Sequence, residues 1–314
     1  MTNFKQTLST ITDYIKADIF PGASLALYDG QDWQEHYLGT QDGNIPVVPG
    51  LTYDLASVSK VVGVGTLCLF YLQAGKLDLD EKLSTYYPAI ADKTLTLRQL
   101  LSHSSGIDPF IPNRDDLDQA GLIAAINAIK VKADKPFLYT DINFILLGLM
   151  LEKVSGTTLD KLFDSEIFQP FGMFETGFGP VDHAVPTVEG VPGGTVHDPK
   201  ARVLKEHTGS AGLFSTLKDL EIFVNHYLTD DFAKNMTQNI SQSNKERSIA
   251  WDLQGEWILH TGYTGTFVLI NIPAQRAAIF LSNRTYYKDE RAQWIKDRDA
   301  LIEIMKEELV HSDK

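Results

Sequence analysis

Cysteine occurs once in the 314 residues, so an internal disulfide is excluded and a reducing compartment is expected. That residue, Cys68, lies in the apolar run VVGVGTLCLFYL and reads as a small buried hydrophobe rather than a catalytic thiol. Basic residues are also scarce: 28 Lys and Arg against 41 Asp and Glu give a net charge of −13. A chain so acidic lacks the footprint that binds phosphate backbones, which argues against nucleic acid. No cluster of Lys and Arg rides on an amphipathic helix, so an anionic membrane surface is not an expected partner either. The longest strongly apolar run is FILLGLML, residues 144–151, well short of the roughly 20 residues that span a bilayer. The N-terminal MTNFKQTLSTITDYIK alternates polar and apolar residues without a signal-peptide core, and a cytoplasmic location is expected.

Several familiar chemistries are missing as well. There is no G-x-S-x-G elbow, no H-E-x-x-H and no paired-histidine spacing for zinc. Asp78 and Asp80 are not followed by the Gly and Glu of a calcium loop, and Asp115, Asp116 and Asp118 read as a solvated acidic loop. Neither a P-loop nor a strand-anchored G-x-G-x-x-G occurs. No metal and no cofactor are therefore expected.

What is present is the composition of a globular enzyme, 43% hydrophobic and 22% charged. Phe4, Leu8, Ile11 and Ile15 recur at helical spacing and define a first amphipathic helix before Pro21 and Gly22. ASLALYD and WQEHYLG read as a hairpin. Residues 58–74 form an apolar helix closed by Gly75. Helices and loops dominate from 76 to 205, including a Thr-capped TLTLRQLL and NFILLGLMLEKVSG. Residues 176–200 are aperiodic and predict a long loop near function or an exposed crossing. EWILHTG, GTFVLINI and RAAIFLSN are three successive strands. A charged helix from about 290 to 310 follows, with Ile295, Ile302, Met305 and Leu309 on one face. The pattern predicts an α+β fold in which both chain ends share one antiparallel sheet and a helical lobe is inserted. The expected boundaries are 1–60 with 206–314 for the sheet lobe and 61–205 for the helical lobe.

Against this frame two Ser-x-x-Lys pairs appear. In DLASVSK, Ser57 precedes Lys60 by three residues at the start of an apolar helix; in STLK, Ser215 precedes Lys218. A serine hydroxyl needs a neighbour to take its proton, and residues three apart share a helix face. A helix N-terminus also directs N–H groups toward a developing oxyanion. Ser215 has a different setting, because Thr216 with Asp219 resembles a helix cap and leaves Lys218 toward solvent. Spacing alone does not choose between the two.

Three further stretches do: YTDINFILLG at 139–148, LLSHSSGI at 100–107 and HTGYTGT at 260–266. In this order, together with SVSK, the chain resembles the serine β-lactamase and penicillin-binding-protein superfamily. It is most similar to the class C β-lactamase-like branch, which includes esterases and D-aminopeptidases. VHDPKA, GSAGLFSTLKDL and FLSNR extend the resemblance over nearly the whole chain. The resemblance implies a β-lactamase/transpeptidase-like fold, an acyl-enzyme on Ser57 and Lys60 as the neighbour sharing its proton. Tyr139 takes the place of the Tyr-x-Asn tyrosine, and Asp141 stands where that motif has asparagine. His260, Thr261 and Gly262 replace Lys-Thr-Gly. The oxyanion hole implied uses the N–H groups of Ser57 and Tyr263. Tyr139 also admits a reading as a packed core tyrosine, and His103 one as a structural loop histidine.

The two departures bear on substrate. A neutral His260 supplies no fixed cation for a carboxylate. An ionised Asp141 favours the ammonium form of Lys60, moves the base role toward Tyr139 and repels anions. A serine hydrolase of carboxylic esters or small amides is expected, with weak β-lactam hydrolysis as a side activity. The alternatives are a D-alanyl-D-alanine carboxypeptidase or true β-lactamase, and, in another class, a non-catalytic penicillin-binding sensor. The partner in each case is a small ester, amide or β-lactam.

Overall fold

The computed structural model describes residues 4–311; Met1–Asn3, within the stretch read above as lacking a signal-peptide core, lie outside them. The first helix, Lys5–Lys16, packs on Gly22–Tyr28 (β1) and Trp33–Gly39 (β2). Short strands follow at Thr52–Asp54 (β3), Gly177–Phe178 (β4), Leu213–Thr216 (β5) and Asp252–Gln254 (β6). Trp257–Thr261 (β7), Phe267–Asn271 (β8) and Arg276–Ser282 (β9) are the three strands expected near the C-terminus. The main sheet has the order β2-β1-β9-β8-β7-β6 and is antiparallel throughout. The two ends of the chain therefore meet at β1 and β9, as the strand pattern predicted.

These strands are hydrophobic at nearly every position because both sheet faces are covered. Period-two alternation sends Leu25, Leu27, Phe267 and Leu269 to the face under the terminal helices. Ala26, Val268, Ile270 and Ile279 go to the opposite face, in a cluster continuous with the core of the helical region. The closing helix is Arg291–Val310, and its buried face differs from expectation at one position. Trp294, not Ile295, anchors its first turns: Trp294 lies 5.8 Å edge-on from Phe20, whereas Ile295 is 37% exposed. Trp294 stands seven and eleven residues before Leu301 and Met305, nearly whole helical turns, so it shares their stripe.

A second small sheet, β3-β5-β4, was not anticipated. Its strands of two to four residues are too short to carry a readable period. β3 ends at Asp54 and delivers the chain into the helix that carries Ser57 and Lys60. That helix, Ala56–Gln73, begins with a 3₁₀ turn, passes through a π-type turn at Val61–Gly65 and ends as regular α-helix. By length and composition it could cross a membrane, but 78% of it is buried inside the protein, where it is the central core helix.

Candidate active site

Four segments converge on Ser57. The helix Ala56–Gln73 supplies Ser57 and Lys60 one above the other. Lys60 is fully buried, and its Nζ lies 2.9 Å from Ser57 Oγ, 2.7 Å from Asp141 Oδ1 and 2.8 Å from the Ser210 carbonyl. These are three acceptors for the three protons of an ammonium group. Burial opposes charge on Lys60, but Asp141 and Tyr139 outweigh it and hold the amine above its ordinary range.

Asp141 is the first residue of the helix Asp141–Ser155, whose cap is Thr140; the Thr140 hydroxyl accepts the Ile142 N–H. This start is legible in the sequence because Thr140 precedes an apolar run that ends at Gly156, in the left-handed conformation. Burial raises the Asp141 carboxyl, yet Lys60 and Lys200 together hold it well below the usual carboxylate range. Lys200 reaches the second oxygen, with Nζ 3.0 Å from Asp141 Oδ2 and 3.1 Å from Asp198 Oδ2. The repulsion of anions expected from Asp141 is therefore offset by a second cation. Lys200 lies in VHDPKA and no spacing rule relates it to Asp141.

Tyr139 is 39% exposed, and its ring centre is 5.1 Å from Lys60 Nζ. The ring also stacks on His103 at 4.3 Å. His103 is completely buried; its Nδ1 accepts from the Thr140 N–H and meets the Asn143 amide at 2.9 Å. Burial, Arg247, Lys60 and His260 hold the imidazole neutral, well below its ordinary pKa. His103 thus forms a rigid platform beneath Tyr139, in keeping with a structural loop histidine.

The opposite wall is the end of β7. His260 is buried, its Nδ1 faces the Thr261 carbonyl at 3.1 Å, and burial with the Lys60 and Arg247 charges holds it neutral. The turn after Thr261 is fastened directly to the segment leading into Ser57. Thr264 Oγ1 donates to the Asp54 carbonyl at 3.0 Å and Thr266 Oγ1 to the Leu55 carbonyl at 3.1 Å. Only glycine fits at 262, because a Cβ there would fall 2.7 Å from the Leu55 carbonyl oxygen. Tyr263 follows, its ring between His197 at 5.5 Å and Arg284 at 4.7 Å, with its hydroxyl on Asp289.

Asp54 completes the support. Its two oxygens accept the Ala56 N–H and the His197 N–H, each at 2.7 Å. The first bond holds Ala56 at φ 45°, a left-handed conformation that costs a non-glycine residue roughly 1 kcal/mol. Burial raises the Asp54 carboxyl from 3.8 to about 6, against the two N–H bonds that lower it.

Beside Tyr139 and His260 opens a cavity of about 220 Å³, also lined by Phe137, Lys245, Arg247 and Thr261. Arg247 is 4% exposed and bonds Asp252 and the Ala250 carbonyl, but its Nε has no partner among the described residues. Arg247 lies in the polar stretch SNKERS, which has no periodicity or motif that would select it.

The second Ser-x-x-Lys pair is built into structure instead. Ser215 is buried on β5 against Thr176 at 2.7 Å, and Thr216 caps the helix Leu217–Thr229 by accepting the Asp219 N–H. Lys218 does not simply face water; it bridges Glu35 on β2 and Glu221 at 3.0 Å. Cys68 is buried, and burial pushes its thiol up, away from reactivity.

A sequence model of the family described as Beta-lactamase matches residues 9–302. A curated protein described as "Putative D-alanyl-D-alanine carboxypeptidase" from Escherichia coli (strain K12) is 25% identical over 308 residues, covering 77% of this chain and 71% of its own. Among solved structures, EstCE1, "a hydrolase with promiscuous acyltransferase activity", superposes with a TM-score of 0.76 at 19% identity, covering 95% of this chain and 97% of its own. The class C β-lactamase from Rhodobacter sphaeroides gives 0.71 at 20% identity, with 94% and 99% covered.

Proposed function

The chain belongs to the β-lactamase family of serine hydrolases, and from that premise we propose that it hydrolyses carboxylic esters or small amides through an acyl-enzyme on Ser57. The observation that carries this reading is the contact of Lys60 with Ser57 at 2.9 Å while Asp141 holds Lys60 at 2.7 Å. A lysine kept as ammonium is not the base. Its charge instead stabilises negative charge on Tyr139 and Ser57. Tyr139 is the group we assign to take the Ser57 proton while Oγ attacks the acyl carbon. The carbonyl oxygen becomes an oxyanion facing the N–H groups of Ser57 and Tyr263. Collapse breaks the bond to the alcohol or amine, which leaves with the proton from Tyr139. Water then attacks the acyl carbon and gives a proton to Tyr139; the acyl–Oγ bond breaks, the acid is released, and Tyr139 returns that proton to Ser57 Oγ.

A neutral His260 in place of a fixed cation supports an uncharged substrate. Hydrolysis of p-nitrophenyl acetate and butyrate by native protein and Ser57→Ala tests the reading. The serine variant is expected to lose at least about 10³-fold of the rate; equal rates overturn the assignment.

One observation favours a second reading, a carboxypeptidase acting on D-alanyl peptides. Arg247, whose Nε has no partner among the described residues, and Lys245 bring positive charge to the cavity beside Tyr139, where a substrate carboxylate would sit. If peptides are the substrate, Arg247→Met lowers turnover of a D-alanyl-D-alanine peptide far more than that of an ester. If both fall together, the ester reading stands.

A further inference from the structure

Asp141 contacts two ammonium groups, one on each oxygen. Lys60 sits at 2.7 Å from Oδ1 and Lys200 at 3.0 Å from Oδ2. Lys200 is not an ordinary surface lysine, since its side chain is only 15% exposed. It is itself held by Asp198, 3.1 Å away, whose other oxygen caps the following helix at the Ala201 N–H. Lys60, Asp141, Lys200 and Asp198 form a chain of alternating charge that sums to zero. Removing Lys200 would leave the carboxylate free to turn and would put an uncompensated negative charge beside the nucleophile.

We propose that Lys200 is a positioning residue for acylation: it aligns Asp141 toward Lys60 and cancels the charge that Asp141 brings to the site. The proposal rests on Ser57 being the acylated residue. Its consequence lies in the proton transfer. The Ser57 oxygen gains negative charge as its proton leaves, and the acyl carbonyl must become an oxyanion. Both are opposed by a bare Asp141 carboxylate. Among the other groups near Tyr139 and Lys60, His103 and His260 are held neutral, and Arg247, whose charge acts on Tyr139, has its ion pair with Asp252 and not with Asp141.

The test compares native protein, Lys200→Met, Lys200→Arg, Asp141→Asn and the Asp141→Asn/Lys200→Met double variant. The readout is the pH profile of kcat/KM for p-nitrophenyl butyrate. Lys200→Met is expected to lower kcat/KM near neutrality about tenfold and to move the ascending limb up by roughly one pH unit, as expected for one unit charge in a partly buried site. Lys200→Arg, which keeps the charge, should stay closer to native. In the Asp141→Asn background the same Lys200→Met change should move the limb little, because no carboxylate is left to compensate. An unshifted profile for Lys200→Met, or an equal shift in both backgrounds, overturns the proposal.

Carbon-13 titration of the Asp141 carboxyl is independent of catalysis. It should move to higher pH in Lys200→Met, and an unmoved titration also overturns the proposal. If native protein never acylates Ser57, the hydrolase reading fails by itself, and this titration still decides whether Lys200 controls Asp141.

Discussion

Replacing Gly262 with alanine adds one methyl group where the end of β7 approaches the turn that leads into Ser57. The new Cβ would lie 2.1 Å from Thr266 Oγ1, 2.7 Å from the Leu55 carbonyl oxygen and 3.3 Å from Ala56 Cβ. The hydroxyl can rotate aside, but it then abandons its 3.1 Å bond to the Leu55 carbonyl in a fully buried position. The carbonyl is backbone and can yield only if the strand end and the Leu55–Ala56 segment separate, by about half an ångström or more. Overpacking and a lost buried hydrogen bond together cost about 2–4 kcal/mol of stability. The separation is also a displacement of the Tyr263 N–H from Ser57, and a shift approaching 1 Å in a positioned site lowers turnover about 10²-fold. Ester hydrolysis and thermal unfolding, measured on the same preparation, read both effects. Gly177→Ala is the control, since a Cβ there meets nothing within 4 Å. Gly262→Ala with native turnover and native melting temperature would refute the claim that this strand edge is set by contact with the turn that leads into Ser57.

Ser215→Ala should leave ester turnover within about twofold of native while costing about 1 kcal/mol, because its hydroxyl bonds Thr176 and not Lys218; urea denaturation and steady-state rates check the two halves. Asp54 predicts a pH effect on stability. Its folded pKa of about 6 lies above the ordinary 3.8, so between about pH 4 and 6 the native state keeps a proton that the unfolded chain has released. Stability from this group is present below that window and falls as pH rises through it, by roughly 3 kcal/mol. Asp54→Asn should flatten this part of the profile in urea titrations; an unchanged slope would show that another carboxyl is responsible. Glu152, Asp219 and Glu221 are also raised, but they remain in both proteins and cancel in the comparison.

The sequence carried those parts of the site that depend on short-range spacing. Ser57 and Lys60 are one helical turn apart, Thr140 announces the helix that places Asp141, and the paired hydrophobicity of β7, β8 and β9 marks the sheet. What could not be read depends on chain crossings. Lys200 reaches Asp141 only because the aperiodic 176–200 segment folds back across the site, where the Asp54 carboxylate holds its His197 N–H. Arg247 reaches the cavity through a loop with no pattern of its own. Asp54 stands in the quoted DLASVSK, yet its role follows from a left-handed Ala56 that no composition rule foresees. The same blindness explains the expectation about anions: Asp141 was visible, but its second counter-ion was not.

Trapping the covalent intermediate addresses the central claim most directly. Native protein, quenched rapidly during turnover of p-nitrophenyl butyrate and measured by intact-mass and peptide mass spectrometry, should carry one butyryl group on the peptide containing Ser57. Ser57→Ala should carry none. An adduct on Ser215 or elsewhere, or full turnover by Ser57→Ala, would contradict it.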